Sequence, residues 1–225
     1  MNVLFVVAHP DDEVLGAGAT IRKMADRGDQ IDVVVLNTFD ETAYRNAKEH
    51  QDRLAKTDWQ LGIRQVYFGK WRDSQMNMAN HREMVQFIEK VMLEVKPDVV
   101  FTHHPSDINS DHFWCFQSVM EAFRIGQRQR YNIRPIKALY LMEVLSSTDW
   151  ALNPAVRPFV PNTFERITKY HLNAKYDALC NYNGVIRKPP HPRRLETIMG
   201  QAALRGAEAG YGYAEAFECV FRRGL

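Results

Sequence analysis

The sequence predicts an α/β domain built on a Rossmann-like, doubly wound and mostly parallel sheet. Three features of the 225 residues lead there. Short runs of β-branched and apolar residues alternate with stretches of helical periodicity. The runs are continuously apolar, as strands buried on both faces require. Two of them stop abruptly at loops dense in histidine and aspartate, the place where open α/β sheets bind ligands.

The elements follow in order. "NVLFVVA" (2–8) reads as a central strand. "DEVLGAGATIRKMADRG" (12–28) places Val14, Leu15, Ala17, Ile21 and Met24 near one helical face and ends at Gly28. "QIDVVVLN" (30–37) is a second strand, and residues 40–63 a polar-faced helix stopped at Gly62. "QVYFG" (65–69) is a short third strand, and residues 81–97 an amphipathic helix ended before Pro97. "DVVFTHHP" (98–105) is a strand running into a histidine-rich loop. Beyond it the pattern is less regular. Residues 136–145 and 214–223 read as strands, 173–182 and 193–206 as helices, and "GVIRKPPHPRR" (184–194) as a loop. No linker or repeat divides the chain, so residues 1–225 are read as one domain.

Composition narrows the function classes. Apolar residues make up 45% and charged residues 25%, as in an ordinary globular protein. A net charge of +2 gives no electrostatic footprint for nucleic acid. Cys115, Cys180 and Cys219 are odd in number and widely spaced, which fits neither a disulfide framework nor a structural zinc site. The N-terminal apolar run is too short for a signal peptide, and no stretch is long enough to span a bilayer. A cytoplasmic protein without an integral membrane segment is expected. Composition leaves a homo-oligomer open.

The chemistry concentrates in "AHPDDE" (8–13) and "THHPSDINSDH" (102–112). Neighbouring carboxylates repel, and burying them is costly without a cation or hydrogen bonds. His9 and Asp12 stand three apart across a strand-to-helix turn, so both can meet one ion. The second loop offers His103, His104, Asp107, Asp111 and His112 for a third ligand. Asp11, beside a ligand, is placed to take a proton from water. The simpler reading makes Asp11 or Asp12 a helix cap and each histidine a structural hydrogen-bonder. Two such loops at two strand ends, in a chain with only 8 histidines, favour a metal. "GAGAT" (16–20) lacks the third glycine of a dinucleotide fingerprint, and the acids before it would repel a pyrophosphate. Its glycines are read as allowing close packing of helix on sheet.

"AHPDDE" together with "HPSDINSDH" (104–112) resembles the LmbE-like, or PIG-L, zinc-dependent de-N-acetylases, as do "DALCNYNG" and "RGAEAGYGYAEAFE" towards the C-terminus. The resemblance implies a Rossmann-like hydrolase that removes acetyl groups from N-acetylglucosamine-type amino sugars. It implies His9, Asp12 and His112 as ligands of one Zn2+, other divalent metals being compatible, with Asp11 as general base. It further implies Asp111 as an acid that tunes the catalytic groups and Asp73 as a contact to sugar hydroxyls. Where many members carry a histidine three residues before the last ligand, this chain has Asn109, which can donate a hydrogen bond to an oxyanion but cannot deliver a proton. His103 or His104 is then an alternative proton donor. His104 and Trp71 are also candidate substrate contacts, Trp71 by stacking on a sugar.

The substrate is expected to be a small amino sugar or glycoconjugate. Basic clusters (Arg124, Arg128, Arg130, Arg134 and Lys137; Arg187, Lys188, Arg193 and Arg194) could meet the phosphates of a nucleotide-linked sugar, or could be solvated faces. Two rivals remain: a metal hydrolase of another N-acyl group, and a non-catalytic carbohydrate-binding relative.

Overall fold

The computed structural model describes residues 1–37, 55–127 and 135–224. Seven strands form one sheet in the order β3-β2-β1-β4-β5-β7-β6. They are β1 (Asn2–Val7), β2 (Gln30–Asn37), β3 (Gln65–Trp71), β4 (Val99–His103), β5 (Ala138–Met142), β6 (Thr163–Arg166) and β7 (Ala214–Arg222). β1 pairs in parallel with β2 and β4, and the parallel pattern extends to β3 and β5. β7 runs antiparallel to both β5 and β6. The expected mostly parallel, doubly wound sheet is present, with an antiparallel C-terminal margin.

Helices α1 (Asp12–Asp26), α2 (His81–Val95), α3 (Ser110–Ala122), α4 (Lys169–Leu179) and α5 (Leu195–Glu208) flank it. Val3, Phe5 and Val7 of β1 belong to one apolar core with α1 and α4, while Leu4, Val6 and Ala8 belong to the other with α2 and α3. This is why β1 reads as a continuous apolar run: each face has its own core. The sequence expectation for residues 40–63 falls partly outside the described residues, and residues 55–61 are helical as expected. Two elements go beyond the sequence reading. The first turns of α3 are occupied by site residues, and its buried face includes Asp111, His112, Cys115 and Ser118, so no apolar stripe announces it. β6 is only 4 residues long.

α1 is broken at Ala17, whose φ of −150° is not helical. A buried ion pair takes up the backbone groups around the break. Lys175 Nζ on α4 donates to Leu15 O at 2.8 Å and to Glu215 Oε1 at 2.7 Å. The Glu215 carboxylate accepts from the amides of Ala19 at 3.3 Å and Thr20 at 2.6 Å. A Cβ at Gly18 would lie 2.9 Å from Lys175 Cγ, and one at Gly16 would lie 3.0 Å from Met142 Cβ. The glycines of "GAGAT" therefore serve close packing, as read from the sequence. Among the described residues no helix is long and apolar enough to cross a membrane.

Candidate functional site

The chain leaves β1 for β2 and β3 on one side, then returns to β4 on the other, so the C-terminal ends of β1 and β4 lie side by side at the switch point of the sheet. The two motif loops grow from these ends, and their side chains meet. His9, Asp12 and His112 each offer a ligand atom, all within 4.8 Å of one another. Asp12 Oδ2 is 3.2 Å from His9 Nδ1 and 3.3 Å from His112 Nε2. It also accepts the His9 backbone N–H at 2.9 Å, which fixes the turn.

Each imidazole is held from behind, the usual arrangement around a metal-binding histidine. His112 Nδ1 is 2.8 Å from Asp107 Oδ2, and Asp107 Oδ1 accepts from Thr148 Oγ1 at 2.7 Å. His9 Nε2 is 2.9 Å from Asp73 Oδ1 and 3.4 Å from Asp111 Oδ2. Both rings therefore turn their other nitrogen towards Asp12. This donor set, two imidazoles and one carboxylate with anchored outer nitrogens, suits a divalent cation such as zinc.

The acids are tuned in opposite directions. Burial opposes ionisation of Asp12, yet His112 and His103 hold its carboxyl well below the ordinary range. Burial and the adjacent Asp12 push the Asp11 carboxyl up to about 7, against the pull of Arg193. Burial lowers the His112 imidazolium, but Asp12 and Asp107 outweigh it and raise it to about 9. A carboxylate held ionised thus sits beside a carboxyl whose pKa is pushed up.

Asp11 owes its position to an unusual backbone. Its φ of 120° is a conformation side-chain-bearing residues avoid. The Glu13 carboxyl receives the Asp11 N–H at 3.3 Å and the Tyr182 hydroxyl at 2.9 Å. Asp11 makes no side-chain cap to α1; its Oδ2 instead accepts from Arg193 Nη1 at 3.1 Å. Arg193 is steadied by Leu145 O and by Ser146 Oγ at 2.7 Å. Asp11 thus stands at the N-cap position of α1 without capping it through its side chain.

The other expected residues divide. Asp111, fully buried, accepts the amides of Ser74 at 2.7 Å and Met76 at 3.2 Å, tying the loop after β3 to the site. That loop carries Asp73, half-exposed and bonded to His9. Asn109 caps α3 by accepting from the Asp111 amide at 2.9 Å, which leaves its amide nitrogen as the end able to donate to a ligand.

Two of the expected substrate contacts are buried. His104 follows His103 on an extended backbone and so points the other way. It is buried, with Nδ1 2.7 Å from Ser106 Oγ, Nε2 3.5 Å from Glu218, and its ring edge-on to Phe159. Trp71 is 8% exposed and packs edge-on against Phe87, so little of its ring is open to a sugar. His103 lies in the site, but its Nε2 receives the Ala8 N–H at 2.9 Å and its ring stacks on His112, so it serves as a wall. Of the basic clusters, Lys137 pairs with Asp98, Arg193 reaches the site, and Arg128, Arg130 and Arg134 lie outside the described residues. Sequence reading gave no role to Glu13, Thr148 or Tyr182, and took Arg193 as a phosphate contact or part of a solvated face. Glu13 closes the first motif, whereas Thr148, Tyr182 and Arg193 are far from both motifs in sequence, and only the fold brings them to the site.

Residues 4–123 match the PIG-L family, described as GlcNAc-PI de-N-acetylase. The 1D-myo-inositol 2-acetamido-2-deoxy-alpha-D-glucopyranoside deacetylase of Segniliparus rotundus is 27% identical over 209 residues, covering 74% of this chain and 65% of that protein. The chain thus spans about two-thirds of that relative's length. The uncharacterized deacetylase YaiS of Escherichia coli is 28% identical, covering 79% of this chain and 88% of that protein. Among solved structures, the conserved protein TT1542 of Thermus thermophilus superposes with a TM-score of 0.78 at 19% identity, covering 100% and 97% of the two chains. GalB, the 4-carboxy-2-hydroxymuconate hydratase of Pseudomonas putida, does so at 0.73 and 20% identity, covering 100% and 98%. A hydratase on this fold shows that fold alone does not assign the chemistry.

Proposed function

The chain belongs to the PIG-L family, and from that premise we propose that it is a zinc-dependent hydrolase removing the N-acetyl group of an N-acetylglucosamine-type sugar or glycoconjugate. The observation that carries this reading is the convergence of His9, Asp12 and His112 beside Asp11, whose Oδ2 accepts from Arg193 at 3.1 Å. The Segniliparus relative, named for deacetylating such a sugar, supports the substrate class.

His9 Nδ1, Asp12 Oδ2 and His112 Nε2 would hold the ion, which when bound acidifies water and polarises the acetyl carbonyl. Asp107 and Asp73 keep the two imidazoles turned towards it. Asp11, steadied by Arg193, takes the proton from the attacking water. The Asn109 amide nitrogen donates to the oxyanion that forms on the acetyl oxygen. Asp11 then returns the proton to the sugar nitrogen as the C–N bond breaks, releasing acetate and a free amine. Asn109 cannot supply that proton, so one carboxyl serves both steps.

The test is acetate release by zinc-loaded protein from N-acetylated sugars offered free, as glycosides and as nucleotide conjugates. Release from one class identifies the substrate group. A protein that binds zinc yet releases acetate from none of them contradicts the proposal.

A further inference from the structure

One buried polar side chain beside the site has no hydrogen-bond partner among the described residues. Asn37, the last residue of β2, is 2% exposed, and neither its Oδ1 nor its Nδ2 has a hydrogen-bond partner among the described residues. Four other side chains among the described residues leave a single buried atom unpaired: Thr20, Arg22, His103 and Gln127. Asn37 is the residue in that group with both ends of its polar function orphaned. A buried amide left in that state destabilises the fold, and native proteins retain such groups mainly where they have a use.

Its place indicates the use. β2 lies between β1 and β3, and all three strands are parallel, so their C-terminal ends open on the same side. The Asn37 N–H donates to Ala8 O at 2.9 Å, one residue before His9. Across the other edge Asn37 pairs with Trp71, two residues before Asp73, and the strand register is irregular there. Asn37 is therefore the middle member of a row whose outer members, His9 and Asp73, are themselves joined at 2.9 Å.

We propose that Asn37 is a specificity-determining residue of this site, its carboxamide binding neighbouring ring hydroxyls of the sugar. This rests on the deacetylase reading above. A carboxamide both accepts and donates, and a vicinal diol answers both ends: one hydroxyl donates to Oδ1 while the next accepts from Nδ2. A phosphate or carboxylate would satisfy Nδ2 but set oxygen against oxygen at Oδ1. The geometry thus favours a neutral polyol over an anionic group at this point.

The test is Asn37→Leu, nearly the same size and without polar atoms. Removing an unpaired buried amide should leave Tm unchanged or higher. KM for the N-acetylated sugar that the wild type turns over should rise about tenfold or more, with kcat within about twofold. Deoxy analogues of that sugar should lose affinity in the wild type and lose little more in the variant. An unchanged KM with wild-type turnover intact overturns the proposal while leaving the deacetylase reading standing. If the wild type releases acetate from no sugar, that reading fails separately, and Asn37 is judged by thermal shift with glucosamine and N-acetylglucosamine. Stabilisation of the wild type alone supports it; stabilisation of both proteins or of neither overturns it. Asn37→Ser replaces the Leu variant in each comparison should the latter not fold.

Discussion

The two halves of the chain contribute differently to one site. The groups proposed to bind the metal and move protons, His9, Asp11, Asp12 and His112, all come from the ends of β1 and β4 in the parallel part of the sheet. The C-terminal part, with its antiparallel strands and loops, supplies groups that hold them: Thr148 on Asp107, Arg193 on Asp11, Tyr182 on Glu13, and the Lys175–Glu215 pair on the broken α1. The contrast follows from topology. Parallel strands converge their C-terminal ends at the switch point and can juxtapose distant residues, whereas the later elements wrap around what has been assembled.

If that division is right, the two halves should fail in different ways. Asp11→Asn keeps the shape of the base but removes its proton affinity, so kcat should fall about 10²- to 10⁴-fold with zinc content unchanged. Undiminished turnover would move the base elsewhere. Lys175→Met should act on stability instead: it leaves Glu215 buried without its cation, at a cost of about 3–5 kcal/mol in denaturant unfolding. Zinc affinity of the folded fraction should be unaffected, and a parallel loss of zinc affinity would blur the division. Asp107→Ala tests the boundary, because its carboxylate comes from the first half and its support, Thr148, from the second. Zinc should bind about 10- to 100-fold more weakly as His112 loses its hold, measured by chelator competition.

The smallest expected effect concerns His104, outside the site. Burial lowers its pKa, so the folded protein keeps it neutral where the unfolded chain would protonate it. Its contribution is present above the unfolded value of about 6.5 and is lost as pH falls through the lower folded value. Tm should therefore drop as pH is lowered below about 6.5, and His104→Gln should flatten that part of the profile. An unaltered slope would place the titration in another group.

The same contrast explains what the sequence made legible. β1, β2 and β4 lie between two cores, and a continuous apolar run can hardly be read otherwise. The two motifs stand out because acids and histidines crowd two strand ends, and the fold brings His9, Asp12 and His112 within reach of one another. α3 was hidden because its buried side is polar, carrying the site itself. His104 and Trp71 misled because closeness in sequence does not say which way a side chain points. Arg193 sits in a stretch of prolines and arginines that reads as a solvated loop, and only the folded chain brings it to Asp11. Asn37 reads as an ordinary strand end, and only the folded chain shows its buried amide without a partner among the described residues.

The most direct measurement is acetate release from the best N-acetylated sugar as zinc is returned to chelated protein. Release should be absent without metal and rise in step with bound zinc, reaching its plateau at about one ion per chain. Turnover that persists after complete chelation, or a protein that stays inactive with His9, Asp12 and His112 fully loaded, would contradict metal-dependent deacetylation at this site.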